Sequence, residues 1–205
     1  MIIHDCEQGT ETWHKLRAGI PTASCASNLV TSTGKPSTSL ADYALTLAAE
    51  KYAGKVVDGF GGNKYTERGK ELEDAARTDY EMTNQIEVQQ VGFITDNLMR
   101  YGCSPDGLVS SDGGFETKCK IAKEHIKALL YYRSTKKTPT EYVAQPQMCM
   151  FVTGRTYWDL HLYHPDLPSV TIRQYPDKEF FKILKKQISL VCVERDEILA
   201  KLKLI

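Results

Sequence analysis

Apolar and polar positions along the chain alternate between a helical and an extended period. SLADYALTLAAEKYAG reads as a helix, with Ser39 as candidate N-cap and Gly54 as its C-terminal stop. A second helix is expected over 63–81, where Leu72, Ala75, Ala76 and Tyr80 recur at helical spacing. Shorter helices are expected at 10–18 and 22–30. The period then shortens. IEVQQVGFI, 86–94, reads as a strand ending near Asp96. MRYGCS and GLVS flank a Pro-Asp-Gly turn, and GFETKCK follows as a third strand. A helix over 122–132 is next, then one opening at Thr138-Pro139 and running to Gly154. Pro146 interrupts that helix, because proline has no N–H for the Tyr142 carbonyl. TYWDLHLYH and SVTIRQY are two more strands. The chain closes on an amphipathic helix over 177–203, with Phe180, Phe181, Leu184, Ile188 and Val191 on its apolar side. Helix, three strands, helix, strand is an α+β order: a mixed sheet flanked by helices. It is read as one domain over 1–205, with its core at 63–175.

The bulk numbers narrow the class. With 205 residues, 41% of them hydrophobic, the chain is long enough for one packed core. MIIHDCEQGTETWHKLR lacks the basic and apolar regions of a signal peptide, and no apolar run approaches a membrane span. The six cysteines (6, 25, 103, 119, 149 and 192) include no C-x-x-C pair and read as reduced thiols of a cytoplasmic protein. Lys plus Arg and Asp plus Glu both number 26, which argues against a uniformly basic coat. The charge is segregated, however. Seven Lys/Arg face two acids between Glu116 and Lys137, and six acids face three bases between Glu67 and Glu81. That segregation suits a site holding both phosphates and metal ions, and it equally suits two solvated helix faces.

Chemistry concentrates in CSPDGLVSSDGGFETKCK. Residues two apart on a strand share a face, so Glu116 and Lys118 project together while Phe115 can enter the core. Asp106 ends the preceding segment, where antiparallel pairing could set it beside Glu116. Two converging carboxylates both stay ionised only with a cation between them. All-oxygen ligands suit Mg²⁺ or Mn²⁺ better than zinc. Lys118 could orient an attacking water and stabilise a charged transition state. Taken alone, Asp followed by Glu-x-Lys is a weak signal beside plain turn chemistry.

The blocks TWHKLRAGIPTAS, RGKELEDAAR, CSPDGL, ETKCK and YVAQPQMCMFVTGR, over residues 8–160, occur in the order seen in the phage lambda exonuclease family. These YqaJ-type viral recombinases belong to the PD-(D/E)-x-K nucleases, so the resemblance implies a restriction-endonuclease-like core. By that resemblance, Asp106, Glu116 and the Thr117 carbonyl hold the metal, and Lys118 stands near the attacking water. Glu73 completes the metal environment, Gln145 helps hold the nucleophile, and Asp96 is a further active-site acid. Arg17 and Ser24 resemble the pair that binds a terminal 5′-phosphate. Trp13, four residues before Arg17, is assigned to the core. Thr117 departs from the apolar residue expected between Glu and Lys. Tyr65-Thr66 stands where the type member carries an apolar wedge for strand separation.

The function so implied is a Mg²⁺-dependent 5′→3′ exodeoxyribonuclease, with two ions per site and Mn²⁺ as a possible substitute. It would digest the 5′-ended strand of double-stranded DNA and leave a 3′ overhang for recombination. The resemblance further implies a toroidal homotrimer, a single-strand-annealing partner protein and action in the cytoplasm of a phage-bearing host cell. Two alternatives stay open: a structure- or site-specific endonuclease of the same core, and a non-catalytic DNA-end-binding module. His161 and His164, three apart, make a poor ligand pair.

Overall fold

A computed structural model describes residues 1–57 and 64–203, without the side chains of 64–71. Tyr65 and Thr66, the expected wedge position, therefore lie outside the described side chains. The first part of the chain forms β1 (Ile2–His4), α1 (Glu11–Arg17), a 3₁₀ turn at Ala23–Asn28 and α2 (Leu40–Ala53). The Thr10 hydroxyl caps α1 by accepting from the Trp13 N–H. Gly54 ends α2 at a left-handed φ of 66°, as its position predicted. Ser39 precedes α2 without a side-chain capping bond.

The long helix α3 spans Lys64–Asn84 and buries Ala76 and Tyr80. Five short strands follow: β2 (Val88–Gln89), β3 (Phe93–Thr95), β4 (Gly102–Cys103), β5 (Gly107–Val109) and β6 (Gly113–Lys118). Here the structure departs from the predicted single strand over 86–94. That segment breaks at Gln90–Gly92, so β2 and β3 join different sheets. Pro-Asp-Gly does not close a hairpin either. β4 pairs with β3, β5 pairs with β6, and the segment 104–106 carries the chain from one sheet to the other.

Beyond β6 come α4 (Ala122–Thr135), a 3₁₀ turn at Thr140–Tyr142 and α5 (Ala144–Thr153). The helix predicted from Thr138 to Gly154 is thus divided at Val143, and Pro146 lies in the first turn of α5, where its missing N–H is tolerated. The Tyr142 carbonyl instead accepts from Gln174 Nε2 at 3.2 Å. β7 (Tyr157–His164) and β8 (Leu167–Gln174) form a hairpin, and α6 (Lys178–Leu202) starts at Asp177, whose carboxylate accepts from the Glu179 and Phe180 N–H groups.

Two sheets result: an antiparallel β1-β3-β4 and a mixed β2-β5-β6-β7-β8, in which only β6 and β7 run parallel. α3 covers one face of the larger sheet, packing Tyr80 against Phe115, Val109 and Val88. On the other face, α4 meets Leu160, Leu162 and Ile172. The main core joins α2, α5 and α6 to the smaller sheet and to Leu108 and Trp158. Alternation along β6 thus sends Phe115 toward α3, and Glu116 and Lys118 toward α5. Among the described residues, no helix is long and apolar enough to cross a membrane.

Gly114 permits the close approach of β6 to Trp158. A Cβ there would lie 2.2 Å from the indole ring. Gly114→Ala is expected to cost about 1–3 kcal/mol through overpacking. Urea unfolding checks this, and an unchanged midpoint would contradict the packing account.

Candidate active site

Register brings the acids of the motif together. Gly107 of β5 faces Phe115 of β6, so the next position outward sets Asp106 beside Glu116. The Thr117 N–H donates to Asp106 Oδ2 at 2.6 Å. In an extended strand the N–H and C=O of one residue point to the same side. The Thr117 carbonyl is therefore directed toward Asp106, past the end of β5. Lys118 Nζ donates to Glu116 Oε1 at 2.6 Å and to Gln145 Oε1 at 3.2 Å, and Gln145 Nε2 donates to the same Glu116 oxygen at 2.6 Å. Asp106, Glu116, Thr117, Lys118 and Gln145 thus form one cluster.

Electrostatics show what the cluster lacks. Burial, reinforced by the neighbouring Glu116, raises the Asp106 pKa well above the usual carboxylate range, and Lys118 only partly opposes this. Burial also pushes Lys118 down, but Glu116 and Asp106 more than offset it and hold the ammonium charged. Glu116 is 3% exposed, and its second oxygen, Oε2, is buried without a hydrogen-bond partner among the described residues. An orphaned carboxylate oxygen beside a second carboxylate and the Thr117 carbonyl is an all-oxygen donor set that fits a hard divalent cation. No three His, Cys, Asp or Glu side chains among the described residues form a closed group for an ion.

Glu73, an exposed residue of α3, lines a cavity of about 760 Å³ with Asp106, Phe115 and Arg77. Its charge raises the Asp106 pKa further. Asp96 is not brought to this cluster. Its carboxylate receives the Arg100 backbone N–H at 2.5 Å and Nε at 2.9 Å, closing the 96–101 turn at the opposite end of β4 from Asp106.

Arg17 and Ser24 do meet. Arg17 Nη2 donates to Ser24 Oγ at 3.0 Å, and Nη1 donates to Ser104 Oγ at 2.9 Å. Trp13 is not a core residue: it is half-buried, lies 4.2 Å beneath the guanidinium and donates its indole N–H to Ser104 Oγ at 2.9 Å. Burial lowers the Arg17 pKa, yet a guanidinium remains charged. Since Ser104 Oγ accepts twice, its own proton is left to donate elsewhere. The result is a stacked, cationic, hydroxyl-flanked fork suited to phosphate oxygens. Ser104 was not singled out from sequence, although it stands two residues before Asp106. Gln8 Nε2 pins the intervening Pro105 by donating to its carbonyl at 2.8 Å.

His161 and His164 do not pair as ligands. His161 bonds Asp79 and Thr171, and His164 Nδ1 accepts from the Asp166 N–H.

With this geometry in view, comparison is informative. The profile of the YqaJ-like viral recombinase domain matches residues 12–156. The crystal structure of the alkaline exonuclease LHK-Exo from Laribacter hongkongensis is 29% identical, with a TM-score of 0.82 over 95% of this chain and 96% of that one. LHK-Exo in complex with dAMP gives 29% identity and a TM-score of 0.81 over the same shares of the two chains, 95% and 96%. A phage-related exonuclease from Haemophilus somnus 129PT shares the fold, at 17% identity and a TM-score of 0.72 over 89% and 96% of the two chains. No curated protein matches the chain. The architecture is accordingly the restriction-endonuclease-like mixed α/β fold expected from the motif blocks.

The donor set makes a thermal prediction. Mg²⁺ or Mn²⁺ at about 100 times its dissociation constant should stabilise the protein by about 2.7 kcal/mol. At 2–4 °C per kcal/mol, that is roughly 5–10 °C in Tm. Asp106→Asn should lose the rise. An equal rise in wild type and variant would remove Asp106 from the ligand set.

Proposed function

Because the chain belongs to the YqaJ-like viral recombinase domain family, we propose that it is a metal-dependent 5′→3′ exonuclease of double-stranded DNA ends. Its product would be a 3′ single-stranded overhang for recombination. The observation that carries this reading is the Asp106–Glu116 pair with the unpartnered Glu116 Oε2, set beside Lys118 and Gln145.

Asp106, Glu116 and the Thr117 carbonyl would hold the divalent cation, with Glu73 supplying further negative charge from across the cavity. Bound there, two Mg²⁺ ions, or Mn²⁺ in their place, would supply Lewis-acid activation of water and charge stabilisation on the leaving 3′-oxygen. Lys118 places a fixed positive charge against the developing negative charge of the phosphate. Gln145 orients Glu116 and Lys118 and leaves one amide face for a water. Arg17, Ser24 and Ser104 would grip the 5′-terminal phosphate, and the loop 104–106 ties that grip to Asp106. A phosphate held at one end and cut at a fixed spacing from it is the requirement for stepwise removal from an end. The lysines and Arg133 of α4 and its flanks would hold the backbone without reading sequence.

The family supports action as a recombination nuclease in the cytoplasm of a phage-bearing bacterial cell. A ring-shaped homotrimer and a single-strand-annealing partner belong to the same proposal.

Timed digestion of end-labelled linear duplex tests the reading. Mg²⁺-dependent loss of the 5′-ended strand is expected, with closed circles left intact; cutting of closed circles would overturn the exonuclease assignment. Lys118→Ala should lower cleavage by at least about 10²–10³-fold while duplex binding persists. Retained turnover would exclude Lys118 from the chemistry. Arg17→Ala should erode the preference for 5′-phosphorylated over 5′-hydroxyl ends, and an unchanged ratio of the two rates would refute its role.

A further inference from the structure

Two consecutive residues of α3 reach the sheet as polar anchors, and the chemistry proposed above uses neither. The buried Tyr80 hydroxyl donates to Asp159 Oδ2 at 2.6 Å. Asp159 is 0% exposed and also receives Arg173 Nε and Nη2, each at 2.7 Å. The Arg173 guanidinium in turn lies 3.9 Å over the Tyr157 ring. Beside this, Asp79 Oδ2 accepts from Ser169 Oγ at 2.7 Å and meets His161 Nε2 at 3.0 Å, while His161 Nδ1 meets Thr171 Oγ1 at 3.0 Å. A carboxylate can only accept, so His161 presents its Nε2–H to Asp79 and accepts from Thr171 through Nδ1.

Burying this much polarity beneath a helix is weak evidence of a stabilising role, since apolar residues of like volume often stabilise as well or better. What hydrogen bonds add is direction. The apolar contact of Ala76 and Tyr80 with the sheet tolerates small slides and rotations, whereas two bonds from adjacent residues to alternate positions of one strand do not. That strand is β7. Asp159 faces Phe115 and His161 faces Thr117 in its parallel register with β6, and Thr117 Oγ1 donates to the His161 carbonyl at 3.1 Å. One strand therefore grips both α3 and the motif strand. Glu73 lies two turns before Tyr80, on the stripe that includes Ala76, roughly 10 Å along the axis. It shares its cavity with Asp106.

We infer that Tyr80 with Asp159 and Arg173, and Asp79 with His161, are positioning residues that fix the height and rotation of α3. They thereby place the Glu73 carboxylate relative to Asp106 and set the affinity of the site for a divalent cation. The inference rests on the metal-dependent nuclease reading.

Tyr80→Phe keeps the ring packed 4.6 Å from Phe115 and removes only the bond to Asp159. Two quantities are read: the Mg²⁺ dissociation constant of the DNA-free protein by calorimetry, and the Mg²⁺ concentration giving half-maximal cleavage. Both are expected to rise about 10–100-fold. The rate at saturating Mg²⁺ should stay within about twofold of wild type, as for a defect in loading alone. Asp79→Asn, at a more exposed position, should shift both values in the same direction, and it serves if Tyr80→Phe does not fold. Gly54→Ala strains the left-handed stop of α2, away from α3 and the motif strand. It should lower Tm while leaving both Mg²⁺ values unchanged. Wild-type Mg²⁺ values in folded Tyr80→Phe and Asp79→Asn, with Tm lowered as in Gly54→Ala, would overturn the inference and leave the nuclease reading standing. A wild-type protein indifferent to Mg²⁺ in both measurements would instead overturn the nuclease reading, and the inference with it.

Discussion

Antiparallel pairing of β5 with β6 sets two carboxylates side by side, Glu116 buried and Asp106 half-buried at the edge of the cavity. That enforced proximity is what the surrounding structure answers. Left alone, the pair resists double ionisation: burial first, and the neighbouring Glu116 after it, raise the Asp106 pKa. The chain supplies three partial remedies: the Thr117 N–H for Asp106, and the Lys118 ammonium and the Gln145 amide for Glu116. Both of the latter fall on Oε1. Oε2 receives nothing, so the remedy stops one ligand short. Apolar residues in place of such a buried pair are often neutral or stabilising. An incompletely neutralised cluster of this kind is one that a divalent cation would complete.

Charge is distributed around this pair in a way the sequence halves foreshadow. The acid-rich α3 contributes Glu73 and Asp74 to the cavity, and the lysine-rich segment after β6 leads away from Lys118 along α4. A polyanion approaching from the α4 side meets attraction until it reaches the carboxylates, where only a cation can bridge the gap. The Arg17 fork lies near the same place because Ser104, which it grips, is linked to Asp106 through a single residue. The Arg17 fork and the carboxylate pair therefore cannot drift apart, as the segment joining them is three residues long and pinned by Gln8.

Local periodicity made the motif strand legible, since alternation alone puts Glu116 and Lys118 on one face and Phe115 on the other. It also placed α2, α3, α6 and their Gly54 and Asp177 boundaries. It could not say which sheet a strand would join. The apolar run over 86–94 looks continuous, yet β2 and β3 diverge because their partners, β5 and β1, lie in different parts of the chain. The same blindness made Pro-Asp-Gly look like a hairpin turn when it is a passage between sheets. The family resemblance made Asp96 a further active-site acid, but the 96–101 turn engages its carboxylate with Arg100. Ser104 and Trp13 gave the opposite error. A serine in a turn and a tryptophan on a short helix have ordinary structural uses, and only the fold brings both against Arg17.

The orientation of Gln145 shows how far such a site is determined from outside itself. Its Oε1 faces an ammonium and its Nε2 faces a carboxylate, so the flipped amide would set donor against donor and acceptor against acceptor. That discrimination works only if the first turn of α5 stands at the right distance from β6. The turn is held from the far edge of the sheet: Gln174 of β8 takes the Tyr142 carbonyl that Pro146 cannot serve. Gln147 extends the same tie, donating to the Tyr175 carbonyl and accepting from the Asp177 N–H. Because Tyr142 precedes the cap of α5, its carbonyl is available to the opposite strand. Through that bond, the position of an amide beside Glu116 depends on residues that lie outside the cluster.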